Sequence, residues 1–258
     1  MEDDKIPLAG HLEELRKRII YSLIAIAVGF LASYGFSEQI YALIALPIKP
    51  FLTDGNAFIF TGLTEAFFTY FKLSIFSGII LSTPVIIYQI WCFIAPGLYK
   101  KEKSYAFPFV FLSTFFFLGG VAFCYFVVFP IACKFFAEFA SDYIQMKLSI
   151  KDYLSFTCKF LLAFGIIFEL PVFVLFLAKL GIVNDTLLRK NRKIVILVVF
   201  VIAAFLTPPD MVSQILMAIP LIFLYELSII IAKIFGKKKI AEKTEEEESN
   251  TEDENIDS

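Results

Sequence analysis

The chain has 258 residues, of which 59% are hydrophobic, 17% aromatic and only 19% charged, and its mean hydropathy is +0.77. Soluble domains carry about 45–50% apolar and about 25% charged residues, so this composition excludes a water-soluble globular protein, a disordered chain and, with four Cys, a disulfide-stapled secreted scaffold. The formal net charge of −2 conceals a division, because residues 240–258 hold nine acidic residues against one Lys and leave the body of the chain basic.

In chain order, Arg16-Lys17-Arg18 leads into an apolar run over 19–36 with no small-x-small cleavage site after it, which reads as a retained first helix rather than a signal peptide. Further apolar runs cover 73–96, 105–133, 153–180, 194–207 and 211–232. Crossing ~30 Å of hydrocarbon takes about 20 residues at 1.5 Å each. Five runs, of 18 to 29 residues, are long enough to span, and the 14-residue run over 194–207 is not. It reads either as a core or re-entrant helix or as a crossing in a thinned bilayer, with Arg192 and Lys193 snorkelling at one end. The break Thr207-Pro208-Pro209-Asp210 folds it into a tight hairpin with the last run. An all-α integral membrane protein with six transmembrane helices over residues 1–236 is therefore expected. A charged, disordered segment over 237–258 follows, either a solvated tail or an acidic docking segment. Pro84, Pro108, Pro171 and Pro220 are expected inside helices, where each removes a backbone donor. Residues 37–65 and 134–152 are too long for tight turns and read as caps along the membrane surface. Sixteen Lys and Arg flank one side of these spans and four the other, which predicts that both termini are cytoplasmic. No repeat relates the two halves, which weighs against a secondary transporter.

The chemistry is sparse. Neither a P-loop nor H-E-x-x-H is present, and His11 is the sole histidine, so no catalytic constellation, cofactor site or metal site is expected. Cys92, Cys124, Cys133 and Cys158 lack C-x-x-C spacing and read as small apolar packers, with a Cys133–Cys158 disulfide as the weaker alternative. Glu169 lies within the fourth span two residues before Pro171, and a carboxylate there needs a proton, water or a partner such as Lys72 or Lys159. Glu226, nearer a helix end, has headgroups or a basic side chain within reach. Gln214, with Ser213 and Thr207, offers polar contacts either to another membrane helix or to internal packing. Glu13, Glu14 and Glu102 flank spans on one side and are suited either to receiving guanidinium groups or to neutralising neighbouring Lys and Arg. Two functional classes follow. One is a binding scaffold whose carboxylates accept paired guanidinium groups, and the other is an ion or proton-coupled small-solute transporter with Glu169 as the coupling group.

Several strings resemble one family. They are His11-Leu12-Glu13-Glu14-Leu15-Arg16-Lys17-Arg18, the stretch from Pro84 through Tyr88-Gln89-Ile90-Trp91-Cys92-Phe93 to Ala95-Pro96-Gly97-Leu98-Tyr99-Lys100-Lys101-Glu102, Phe168-Glu169-Leu170-Pro171, and Leu206-Thr207-Pro208-Pro209-Asp210 followed by Ser213-Gln214. Together they resemble the TatC component of the twin-arginine protein translocase over nearly the whole chain. The resemblance implies a six-helix, cup-shaped, non-enzymatic receptor in a multimeric complex. Such a receptor binds twin-arginine signal peptides of folded cargo, recruits the single-span proteins TatA and TatB, draws on the proton-motive force and binds no nucleic acid. It implies that Glu14 and Glu102 contact the signal arginines, with Arg16 and Phe93 shaping the site, and that Glu169 is an intramembrane polar group. By the same resemblance Thr207 and Gln214 meet a partner helix, and Pro47 and Asp210 serve structure or assembly. The location implied is the bacterial cytoplasmic (inner) membrane, or a thylakoid membrane for a plastid-encoded chain.

Overall fold

A computed structural model describes residues 8–51, 58–59, 62, 64–94, 106–138, 149–206 and 211–235. The chain divides into two compact units, Met1–Phe168 and Glu169–Ser258. The acidic segment over 237–258 lies outside the described residues, as do Glu102, Thr207 and Asp210.

The first unit contains α1 (Leu8–Tyr34), α2 (Ser37–Ala45), a 3₁₀ turn (Lys49–Phe51), α3 (Glu65–Ile94), α4 (Ala106–Phe123), a π turn (Cys124–Val128), α5 (Phe129–Ala137) and α6 (Ile150–Phe168). The second contains α7 (Leu170–Lys179), α8 (Asp185–Lys190), α9 (Arg192–Leu206) and α10 (Met211–Phe235). The all-α membrane class holds, and helices fill the six apolar stretches. Glu65–Ile94, Pro108–Ala137, Ile150–Lys179 and Met211–Phe235 are each long and apolar enough to cross a bilayer. The first helix joins them when taken together with α2, from which it is bent by 83°. With 15 residues, α9 rises only ~22 Å and keeps the short length noted in the sequence.

Backbone polar groups in lipid must be satisfied internally, so each departure from α geometry needs a cause. Pro84 and Pro220 do lie inside α3 and α10. Pro171 lies inside the Ile150–Lys179 span as the second residue of α7, where it withholds a backbone donor next to the interruption at Glu169. Pro108 is the third described residue of α4. The π turn has a similar origin. Pro130 offers no N–H to the carbonyl of Phe126, and one residue earlier the N–H of Phe129 reaches back five residues to Cys124, the wider register of a π turn. The second unit shows a glycine stop. Gly181 has φ 75°, its N–H bonds Ala178 at 3.1 Å, and the N–H of Ile182 bonds Leu177 at 3.0 Å, a Schellman closure that glycine adopts without strain. Hydroxyls inside the helices turn back on the carbonyl four residues earlier: Ser74 on Tyr70, Thr114 on Val110, Thr157 on Tyr153 and Ser228 on Leu224, at 2.7–2.8 Å.

Within the first unit α3 packs against α1, α4 and α6, and α4 also packs against α6. Lipid is as apolar as Leu, so close packing rather than water exclusion holds such helices together. Two devices supply it. Phe156, Phe160, Phe164 and Phe168 recur every fourth residue along α6, with successive ring centroids 4.9, 5.6 and 6.5 Å apart, and Phe129 and Phe123 join this stack from the flanking helices. Glycines let backbones touch. Gly29 of α1 faces Gly78 of α3, and Gly120 of α4 faces the carbonyl of Phe164 on α6. In the second unit α10 packs against α7, α8 and α9, with Val174, Ala178 and Ala232 buried together.

Candidate functional site

The N-terminal turns of α1 and the C-terminal turns of α3 build the main polar site. Residues three and four apart share a helix face, which puts His11, Glu14 and Arg18 on one stripe of α1 and Gln89 and Phe93 on one stripe of α3. The stripes meet. Arg18 donates from Nη2 to Glu14 Oε1 at 3.1 Å and from Nη1 to Gln89 Oε1 at 3.2 Å, and the His11 ring stacks on Phe93 with centroids 4.5 Å apart. Gln89 is buried, and the Glu14 and Arg18 side chains keep 23% and 27% of their surface. That degree of burial is the partial desolvation a selective ion pair requires. Trp91, stacked on Phe109 of α4 at 4.8 Å, fixes the same end of α3 against its neighbour.

Of the four residues expected here, Glu14 and Phe93 come to this junction. Arg16 is exposed and two positions from Glu14, so it points off the stripe. Glu102 lies outside the described residues. Arg18, Gln89 and His11 were not among the binding residues expected from the sequence, although the spacing of 11, 14 and 18 is the signal that could have found the first and third.

Glu169 stands between α6 and α7 where the α ladder is interrupted. It is half-buried, and its carbonyl accepts from the N–H of Phe173 at 2.8 Å. Pro171 withholds the donor that the Ile167 carbonyl would otherwise receive, so the carboxylate sits beside disturbed backbone. Gln214 donates from Nε2 to the carbonyl of Phe200 at 2.9 Å and so ties α10 to α9. Pro47 follows the last residue of α2 and its C-cap Leu46, the common place for a proline that stops a helix. The carbonyls at that end accept from tyrosines, Leu43 from Tyr125 at 2.6 Å and Ile44 from Tyr153 at 2.8 Å.

Glu226 has a basic partner, Arg192, at 2.7 Å, while Tyr225 donates to the carbonyl of Leu188 at 2.8 Å. Both side chains of the ion pair remain about two-fifths exposed. Glu226→Gln should therefore lower stability by no more than ~1 kcal/mol, and that loss should shrink in high salt. Denaturant unfolding in detergent at two salt concentrations checks this. The four cysteines are free thiols, which removes the Cys133–Cys158 disulfide. Both fall on helices where burial accounts for their small size, Cys133 being buried and Cys158 half-buried.

In the sequence Glu65 reads only as the end of the cap over residues 37–65. It is buried at the start of α3, and its carboxylate accepts from the N–H of Gly62 at 3.1 Å, the hydroxyl of Ser149 at 3.1 Å and the N–H of Lys151 at 3.2 Å. The bond to Gly62 resembles one half of a capping box, and Gly-x-x-Glu before an apolar run was its only local sign.

The profile of the family described as "Sec-independent protein translocase protein (TatC)" matches residues 10–220. The chain belongs to the TatC family. It is 50% identical over 249 residues to the Sec-independent protein translocase protein TatC of Desulforapulum autotrophicum, covering 96% of this chain and 92% of that one. It is 42% identical over 236 residues to the TatC of Escherichia coli K12, covering 92% of each. Among solved structures, the crystal structure of a twin arginine translocase receptor TatC superposes with a TM-score of 0.79 at 39% identity, covering 87% of this chain and 98% of that one. The chain is thus a membrane-embedded, non-enzymatic component of the Sec-independent, twin-arginine protein transport system.

Proposed function

We propose that this chain is the signal-recognition subunit of that translocase. It binds Arg-Arg signal peptides of folded proteins at the cytoplasmic face and recruits TatA and TatB helices for export driven by the proton-motive force. The observation that carries the reading is that Glu14 already holds a guanidinium, that of Arg18, in a half-buried junction between two helices. A carboxylate has lone pairs for more than one donor, so Glu14 can keep Arg18 while accepting an incoming fork, and Glu102 is the second acid. Arg16 and Phe93 shape the approach, Phe93 through its stacking on His11. Within the membrane Glu169 is the polar group at the helix break. The amide oxygen of Gln214, which makes no hydrogen bond among the described residues, and Thr207 are offered to a partner helix. Pro47 and Asp210 serve structure and assembly on the opposite face. Both termini are cytoplasmic, and the membrane is the bacterial inner membrane.

Peptide binding to purified protein tests the reading. Glu14→Gln should weaken an Arg-Arg signal peptide by roughly tenfold, as should Glu102→Gln, since hydrogen bonds to charged groups are worth about 1.5–3 kcal/mol. A Lys-Lys peptide, which lacks the planar fork, should lose less. Undiminished Arg-Arg binding in both variants would refute the assignment.

A further inference from the structure

At the end of α3 remote from Gln89 and Phe93, a pocket of about 440 Å³ opens between α3 and α6. Lys72 and Lys151 line it with the hydroxyl side chains of Thr64, Thr69 and Ser155, and Phe68 forms an apolar wall. Both lysines are exposed, and neither forms an ion pair among the described residues. Glu65 also borders the pocket, but its carboxylate oxygens accept from Gly62, Ser149 and the Lys151 N–H, which commits that charge to the loops.

Lys72 lies seven residues into α3, about 10 Å along the helix. It directly precedes the apolar run over 73–96, a place at headgroup level where a lysine meets an anion. The pocket wall beside it is apolar: Phe68 is 53% exposed. A soluble anion would match the lysines and leave that ring unused. A phosphate carried on acyl chains matches both, with the headgroup at the lysines and a chain along Phe68.

We propose that this pocket binds the headgroup phosphate of an anionic phospholipid, held by Lys72 and Lys151 and by the surrounding hydroxyls, as a structural lipid of the first unit. Native mass spectrometry of the full chain in detergent, loaded with phosphatidylglycerol or phosphatidylcholine, tests it. One phosphatidylglycerol should be retained with a preference of roughly tenfold to thirtyfold, from two lysines acting on one anionic headgroup. The preference should vanish in Lys72→Gln/Lys151→Gln and survive in Lys72→Arg/Lys151→Arg. It should also survive in Lys134→Gln, which alters a lysine of α5 outside the pocket, and in the presence of excess inorganic phosphate. Equal retention of the two lipids, an undiminished preference in the Gln pair, or its loss in a folded Arg pair would each overturn the proposal. So would displacement by inorganic phosphate, which would mark a soluble-anion site.

Discussion

Gly78→Val is expected to prevent folded protein from accumulating in the membrane, whereas Gly119→Ala, in the next helix, should be neutral or slightly stabilising. A Cβ built on Gly78 would lie 2.6 Å from the backbone nitrogen of Phe30 and 2.9 Å from its Cα, and one built on Gly29 would lie 2.7 Å from the carbonyl oxygen of Gly78. The obstructing atoms are backbone, so no rotamer relieves the contact. Helices α1 and α3 would have to separate along their whole seam. The penalty should exceed the ~1–3 kcal/mol usual for overpacking a core, where side chains share the strain. At Gly119 nothing lies within 4 Å, and alanine is the better helix former. Membrane accumulation and thermal unfolding in detergent compare the two. Equal behaviour would mean that the α1–α3 contact does not hold the unit together. Because Arg18–Gln89 and His11–Phe93 join the same two helices further along, a partially folded Gly78→Ala protein should also lose those two contacts.

The spans were legible because the bilayer imposes one requirement, a long apolar helix, that composition alone can meet. The interruption at Glu169 was legible for a related reason, since Pro171 lacks an N–H wherever it stands. What the sequence did not show was bonding register within a span. The π turn left no mark because Cys124–Val128 is as apolar as its flanks and only its bonding register differs. The site was half legible. Glu14 could be found by its charge beside a span, but its pairing with Arg18 and the tie to Gln89 depend on a helix face and on a contact 71 residues away. The glycines gave no signal at all. Gly29 and Gly119 look alike in sequence, and only the packing separates a backbone contact from open space.

Glu65→Ala should destabilise the first unit by about 3 kcal/mol, an effect at the upper end for a single polar side chain, because the carboxylate accepts from three donors among the described residues and hydrogen bonds to a charged group are worth ~1.5–3 kcal/mol each without adding fully. Two of the donors are backbone N–H groups, those of Gly62 and Lys151, and they would be left without their acceptor. The bridge between Ile59 and Ser149, with the Ile150 N–H bonded to Ile59 at 3.1 Å, should loosen with them. Thermal unfolding should register the loss, and hydrogen exchange at the Lys151 and Ile150 amides should accelerate locally before the helices open. Unchanged exchange at those two amides would show that the loops are held by something other than this carboxylate. Conservative variants sharpen the argument. Glu65→Asp keeps the charge but is one methylene short of donors that already stand at 3.1–3.2 Å. Glu65→Gln keeps the length but turns one acceptor into an NH₂ that faces a donor. Both should fall between wild type and alanine. Only a full-length carboxylate offers acceptors on both oxygens and no donor, which is what donors converging from Gly62, Ser149 and the first turn of α6 demand.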